Sequence, residues 1–271
     1  MVINDTFLAE ADWLEEHRQE AGLLVVDTRG PQEFESAHVP GAVNLPSVHL
    51  FDSSTVGSDL LPVDELERRL GAAGIDNERK LVLYDDSGLV PSARMFWVLE
   101  NLGRGNMALL NGGFMGWVSG GFPVESGTRE PDPVQFRATA SRAALATRED
   151  VLDALEREDA LIIDTRSPEE YAGTKGEHQR NGHIPGAVNI EWQHHIKDLF
   201  DPTFVGEPEL RSLYEAVGAH ESDEVITYCR TASRSSHTYF VLRMLGFERV
   251  RNYSGSWTEW NVDESLPIEQ G

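Results

Sequence analysis

Leu161-Ile162-Ile163-Asp164-Thr165-Arg166, followed by His183-Ile184-Pro185-Gly186-Ala187-Val188-Asn189, repeats an earlier passage of the same chain. The first copy reads Leu23-Leu24-Val25-Val26-Asp27-Thr28-Arg29 and then His38-Val39-Pro40-Gly41-Ala42-Val43-Asn44. Further on, Leu81 through Tyr84 matches Val225 through Tyr228, Leu102-Gly103 matches Leu245-Gly246, and Gly112 through Trp117 matches Gly255 through Trp260. Matching landmarks in matching order define two homologous units of about 130 residues each.

Within each unit, short apolar runs alternate with helical patterns. Strands are expected at 23–26, 43–45, 81–84 and 107–110, and again at 161–163, 187–190, 225–228 and 248–251. Helices are expected near 5–19, 62–72 and 92–102, then 147–157, 208–217 and 235–245, with Gly103 and Gly246 as helix stops. This alternation predicts an α/β fold in which each unit is a mostly parallel sheet with helices on both faces. Glycine, proline and charge cluster from Gly120 to Pro133 and mark a break. The expected division is a non-catalytic unit over 1–124, a linker over 125–134 and a catalytic unit over 135–271.

The formal net charge of −23 argues against nucleic acid as a partner, because a phosphate backbone needs a cationic face. The apolar runs are too short to span a bilayer, so no membrane is expected. Asn4, Asp5, Glu10 and Asp12 stand where a secretory leader would carry basic and apolar residues. With one cysteine, an internal disulfide and a multi-cysteine metal site are both ruled out. A cytoplasmic, reducing location is therefore expected, with no cofactor and no metal.

That cysteine, Cys229, directly follows the apolar run Val225–Tyr228 and opens Cys229-Arg230-Thr231-Ala232-Ser233-Arg234-Ser235. In parallel sheets, ligands collect at the carboxyl ends of strands, where loops meet helix N-termini. A thiolate there is favoured by nearby cations and backbone N–H groups, which makes Cys229 the candidate nucleophile. Arg230 and Arg234 are candidate anion binders, with a structural salt bridge as the alternative for Arg234. Thr231, Ala232, Ser233 and Ser235 are candidate substrate-binding residues with them, because such a turn can point successive N–H groups at an anion, and a seryl hydroxyl can donate to the sulfur or cap the next helix. In the first copy Asp85 occupies the place of Cys229, so that copy cannot perform the same chemistry. Asp164-Thr165-Arg166 has its twin in the copy without a thiol, which favours fold maintenance, although Arg166 can add positive field to the cleft. His38 and His183 are likewise duplicated and read as architectural. His237 is expected to face along its helix, away from the turn.

These residues resemble the tandem-domain rhodaneses, the thiosulfate and 3-mercaptopyruvate sulfurtransferases. The resemblance rests on Asp164-Thr165-Arg166, Gly182 through Asn189, Cys229 through Arg234, Gly255 through Trp260 and the degenerate first copy, and it covers nearly the whole chain. It implies two tandem rhodanese-like domains, and a Cys229 persulfide that takes sulfane sulfur from a small anionic donor and passes it to cyanide or a thiol. Thiosulfate enzymes of this family look like Cys-Arg-Lys-Gly-Val-Thr, and mercaptopyruvate enzymes like Cys-Gly-Ser-Gly-Val-Thr. Arg230 fits the first pattern, whereas Thr231, Ala232 and Arg234 depart from it, and Glu170 stands where a second arginine is expected. A carboxylate facing the pocket there would repel thiosulfate. The alternatives are a 3-mercaptopyruvate sulfurtransferase, a cysteine-dependent phosphatase or arsenate reductase, and a non-catalytic binding module. Phosphatases of this domain type space Cys and Arg by five residues. Here four intervene, a tighter cradle suited to one sulfur atom.

Overall fold

The computed structural model describes residues 7–55, 59–139, 143–176 and 180–271. The first unit runs β1 (Leu8–Ala9), α1 (Ala11–His17), β2 (Leu23–Asp27), α2 (Pro31–Ser36), β3 (Val43–Asn44), α3 (Val63–Ala72), β4 (Lys80–Tyr84), α4 (Val90–Asn101), β5 (Met107–Leu110) and α5 (Gly113–Ser119). The second repeats it as β6 (Leu145–Ala146), α6 (Arg148–Ala154), β7 (Ala160–Asp164), α7 (Pro168–Tyr171), β8 (Val188–Asn189), α8 (Glu207–Glu215), β9 (Glu224–Tyr228), α9 (Ser233–Met244), β10 (Val250–Tyr253) and α10 (Ser256–Trp260). A 3₁₀ turn follows β3 at Ser47–Leu50 and β8 at Trp192–His195. The strand orders are β1-β5-β4-β2-β3 and β6-β10-β9-β7-β8, with every pairing parallel. Two parallel sheets covered by helices are what the alternating pattern required.

The differences lie at the edges. The helix expected over 5–19 opens instead with β1, because Leu8 and Ala9 pair with Leu109 and Leu110, and α1 begins only at Ala11. Residues 5 and 6 lie outside the described residues. The strand expected at 248–251 is shifted to Val250–Tyr253, in register with Val225–Thr227. The first residue of the expected linker, Glu125, exchanges backbone hydrogen bonds with His38 at 2.8 and 2.9 Å, as Glu269 does with His183 at 2.9 and 3.0 Å. Farther along, Val134 N donates to the Gly71 carbonyl, and Phe136 is buried in the apolar core.

Helices α4 and α9 are buried on nearly every side, although α9 opens with the polar run Ser233–Thr238. From Ser92 to Leu99 and from Ser235 to Leu242, every residue is buried. The two helices pack together across the units, with Phe96 and Phe240 edge to face at 5.0 Å. One apolar cluster therefore runs through both units. Each of these helices starts directly after the central strand of its own sheet, so the turns after β4 and β9 open beside the seam.

Candidate active site

Cys229 is the residue immediately after β9, and it is only 1 % exposed. Three residues later Ala232 takes a left-handed conformation, φ 57° and ψ 8°, and hands the chain to α9. This is the position where the thiosulfate-type pattern has glycine, and a Cβ there costs about 1 kcal/mol. The conformation is held from outside. Ala232 N donates to Ser256 Oγ at 3.0 Å, and its carbonyl accepts from Ser236 Oγ at 2.6 Å and Asn252 Nδ2 at 3.2 Å. Ser256, itself at φ 51°, also receives the Cys229 N–H at 3.4 Å. Trp257 N and Thr258 N bind the Cys229 and Arg230 carbonyls, so the start of α10 clamps the turn from above.

The candidate residues of the turn divide sharply. The Arg230 residue is exposed, and its carbonyl accepts from Thr258 Oγ1 at 2.6 Å. The Thr231 carbonyl faces the first unit, where Arg94 Nη2 lies 3.5 Å away. Ser233 is half-buried at the first position of α9. Ser235 Oγ donates to Asn252 Oδ1 at 2.7 Å, which directs its hydroxyl into the brace under the turn.

Arg234 does not act as an open anion binder. Its Nη1 and Nη2 are held by the two oxygens of Glu170 at 2.7 and 3.0 Å. Glu170 sits at the third position of α7, in a capping box with Ser167, and is thereby aimed across at α9. Burial raises the Glu170 carboxyl, but the Arg234 guanidinium overcomes it and holds the group below the ordinary carboxylate range. The carboxylate expected to repel a donor anion is therefore spent on Arg234, and the pair brings little net charge to the cleft.

Arg166 is corrected more firmly. Its Nε and Nη2 bind Asp164, Nη2 also binds the Gly182 carbonyl at 2.7 Å, and the guanidinium stacks 4.5 Å from the Trp257 ring. The residue is 1 % exposed. Arg29 repeats this arrangement with Asp27 and the Ala37 carbonyl in the unit without a thiol. Both aspartates also accept a tyrosine hydroxyl, from Tyr84 or Tyr228, that binds Val39 N or Ile184 N in turn. Arg166 is thus a strut of the fold, and it is not placed to receive substrate.

His237 is fully buried beside Trp192, His195 and Phe204, and desolvation drops its imidazole to about 3. His38 and His183 each reach a backbone carbonyl through Nδ1, of Phe34 and Tyr171 respectively. Ser256 belongs to the segment Gly255-Ser256-Trp257, where a glycine that permits close backbone approach points to the active pocket, and its hydroxyl does reach the turn. Two residues of the site escape a reading of the sequence: Asn252, which braces a turn distant in sequence, and Arg94. Arg94 left a signal, as a lone cation inside the apolar run Val90–Leu99.

Comparison with known proteins agrees with this geometry. The rhodanese-like domain family matches residues 10–120 and 147–263. A putative thiosulfate sulfurtransferase of Haloferax volcanii is 35% identical over 97% of this chain and 96% of its own length. The sulfur carrier protein TtuD of Thermus thermophilus is 33% identical over 97% and 96% of the two chains. Among solved structures, the 3-mercaptopyruvate sulfurtransferase SseA of Escherichia coli superimposes with a TM-score of 0.83, 26% identical over 93% of this chain and 98% of that one. Among the described residues no helix is long and apolar enough to cross a membrane. Duplicated halves, a cysteine turn retained in the second alone and matches along nearly the full length converge: this chain belongs to the rhodanese family, as two rhodanese-like domains in tandem.

Proposed function

We propose that the protein is a thiosulfate sulfurtransferase that works through a Cys229 persulfide. The Cys229 thiolate attacks the outer sulfur of thiosulfate. The sulfur–sulfur bond of the donor breaks, its electron pair departs with sulfite, and the enzyme keeps a persulfide anion. Cyanide or a thiolate then attacks the terminal sulfur, the enzyme's own sulfur–sulfur bond breaks, and the thiolate returns. This is covalent, ping-pong catalysis.

The observation that carries the reading is the position of Cys229: after the central strand of the second sheet, ahead of a left-handed turn and the first residues of a buried 12-residue helix. Aligned peptide dipoles at a helix start favour an anion there. The relatives named for thiosulfate sulfur transfer and for sulfur carriage support it, as does the exposed Arg230 beside the thiol. The depth of the thiol favours a small donor and works against phosphomonoesters.

The test reads access and chemistry together. Intact, reduced protein incubated with thiosulfate should gain the mass of one sulfur atom, and cyanide should remove it as thiocyanate. C229S should gain nothing, and 3-mercaptopyruvate should load the wild type more slowly than thiosulfate does. An unchanged mass on verified free thiol overturns the proposal; faster loading from 3-mercaptopyruvate reassigns the donor.

A further inference from the structure

Cations reach the Cys229 turn from three directions. Arg230 follows the thiol and is exposed. Arg234 on α9 feels the Cys229 charge but is held at both terminal nitrogens by Glu170 of α7. Arg94 arrives from α4, in the unit that has no thiol. It is 9 % exposed, its Nη2 is 3.5 Å from the Thr231 carbonyl oxygen, and its guanidinium carbon lies 3.6 Å from the Phe51 ring centroid.

We propose that Arg94 is a cation lent by the silent unit to Cys229, holding the sulfur in its anionic form and stabilising the persulfide anion that follows. For the persulfide the inference rests on the sulfurtransferase reading, and for the thiolate it stands alone. An aromatic face is a favourable support for a guanidinium, and a charge kept from water acts more strongly on its neighbours. Burial draws the Arg94 guanidinium down to about 10, and the charge of Cys229 works in the opposite direction. Even so lowered, it is a cation at neutral pH.

The duplication supplies a second argument. Arg94 follows the left-handed Leu89 by five residues, as His237 follows the left-handed Ala232. The two are therefore counterparts on α4 and α9. His237 is uncharged at neutral pH, since burial drops it to about 3. The first unit presents the charged member of the pair at the Thr231 carbonyl, two residues beyond the other unit's thiol.

The experiment measures the thiol pKa of Cys229 in the intact chain, by thiolate ultraviolet absorbance and by iodoacetamide alkylation across pH, with no sulfur donor present. R94Q should raise that pKa by about one unit, a tenfold loss of thiolate below it, and R94K should restore most of the change. An unshifted pKa in R94Q with a native circular dichroism spectrum overturns the inference. An equal shift in R94K and R94Q also overturns it, since packing and not charge would then be responsible. Should R94Q not fold, F51L keeps the charge and removes its support. It should shift the pKa upward by less, and no shift would overturn the inference. Because no donor is used, failure of the protein to take up sulfur would leave this result intact and refute only the persulfide step.

Discussion

After β4, Asp85 turns its carboxylate back into its own loop, accepting Ser87 N at 2.6 Å, Leu89 N at 3.2 Å, Ser92 N at 2.9 Å and Ser92 Oγ at 2.6 Å. After β9, the same corner carries Cys229, and there Ala232 N donates to Ser256 Oγ while Ser235 Oγ donates to Asn252. The first loop is one residue longer before its left-handed turn, at Leu89 with φ 63° against Ala232 with φ 57°. One corner thus contains a tethered carboxyl group that satisfies it from within, and burial pushes that group above the ordinary carboxylate range. The other has a thiol in that place and takes its bracing from Asn252 of β10 and Ser256 of α10.

The comparison can be broken first at Asp85. D85A leaves several buried donors without an acceptor and should cost about 3 kcal/mol, read as a lower urea midpoint. A loss below about 1 kcal/mol would show that the corner does not need its carboxyl group. The next test concerns the matched helix positions. His237 has a folded pKa of about 3 against an ordinary 6.5, so the unfolded chain binds the extra proton between those values. Its contribution to stability is full above pH 6.5 and falls as pH drops towards 3, at about 1.4 kcal/mol per pH unit. H237L should flatten that slope in urea titrations from neutral to acid pH, and His195, also depressed by burial, should keep part of it. An unaltered slope would mean the histidine is solvated. The smallest effect belongs to A232G. Relief of the left-handed strain outweighs the extra freedom of unfolded glycine by a few tenths of a kcal/mol, seen as a slightly raised midpoint. A clear loss would place the Ala232 methyl among the essential contacts of the turn.

The sequence made the two sheets legible because a duplicated pattern supplies its own control: an apolar run that recurs with the same ending is a strand in both places. Two-residue strands such as Leu8–Ala9 leave no periodicity, and register with β5 creates them. Helices α2 and α7, of six and four residues, were hidden for the same reason. Cys229 was visible because its chemistry is unlike that of its neighbours. A salt bridge for Arg234 was legible as an alternative, but its partner was not, since Glu170 lies 64 positions away and reaches it only through the fold. Arg94 lies in the copy without a thiol, 135 positions before Cys229, and only the packing of α4 on α9 brings it to the turn.

The shared interior formed by α4 and α9 carries an evolutionary implication. Once two copies of a module bury their central helices against each other, neither can be discarded without exposing its sibling. The half without a thiol thereby keeps a mechanical part in the fold, whatever else it does at the border.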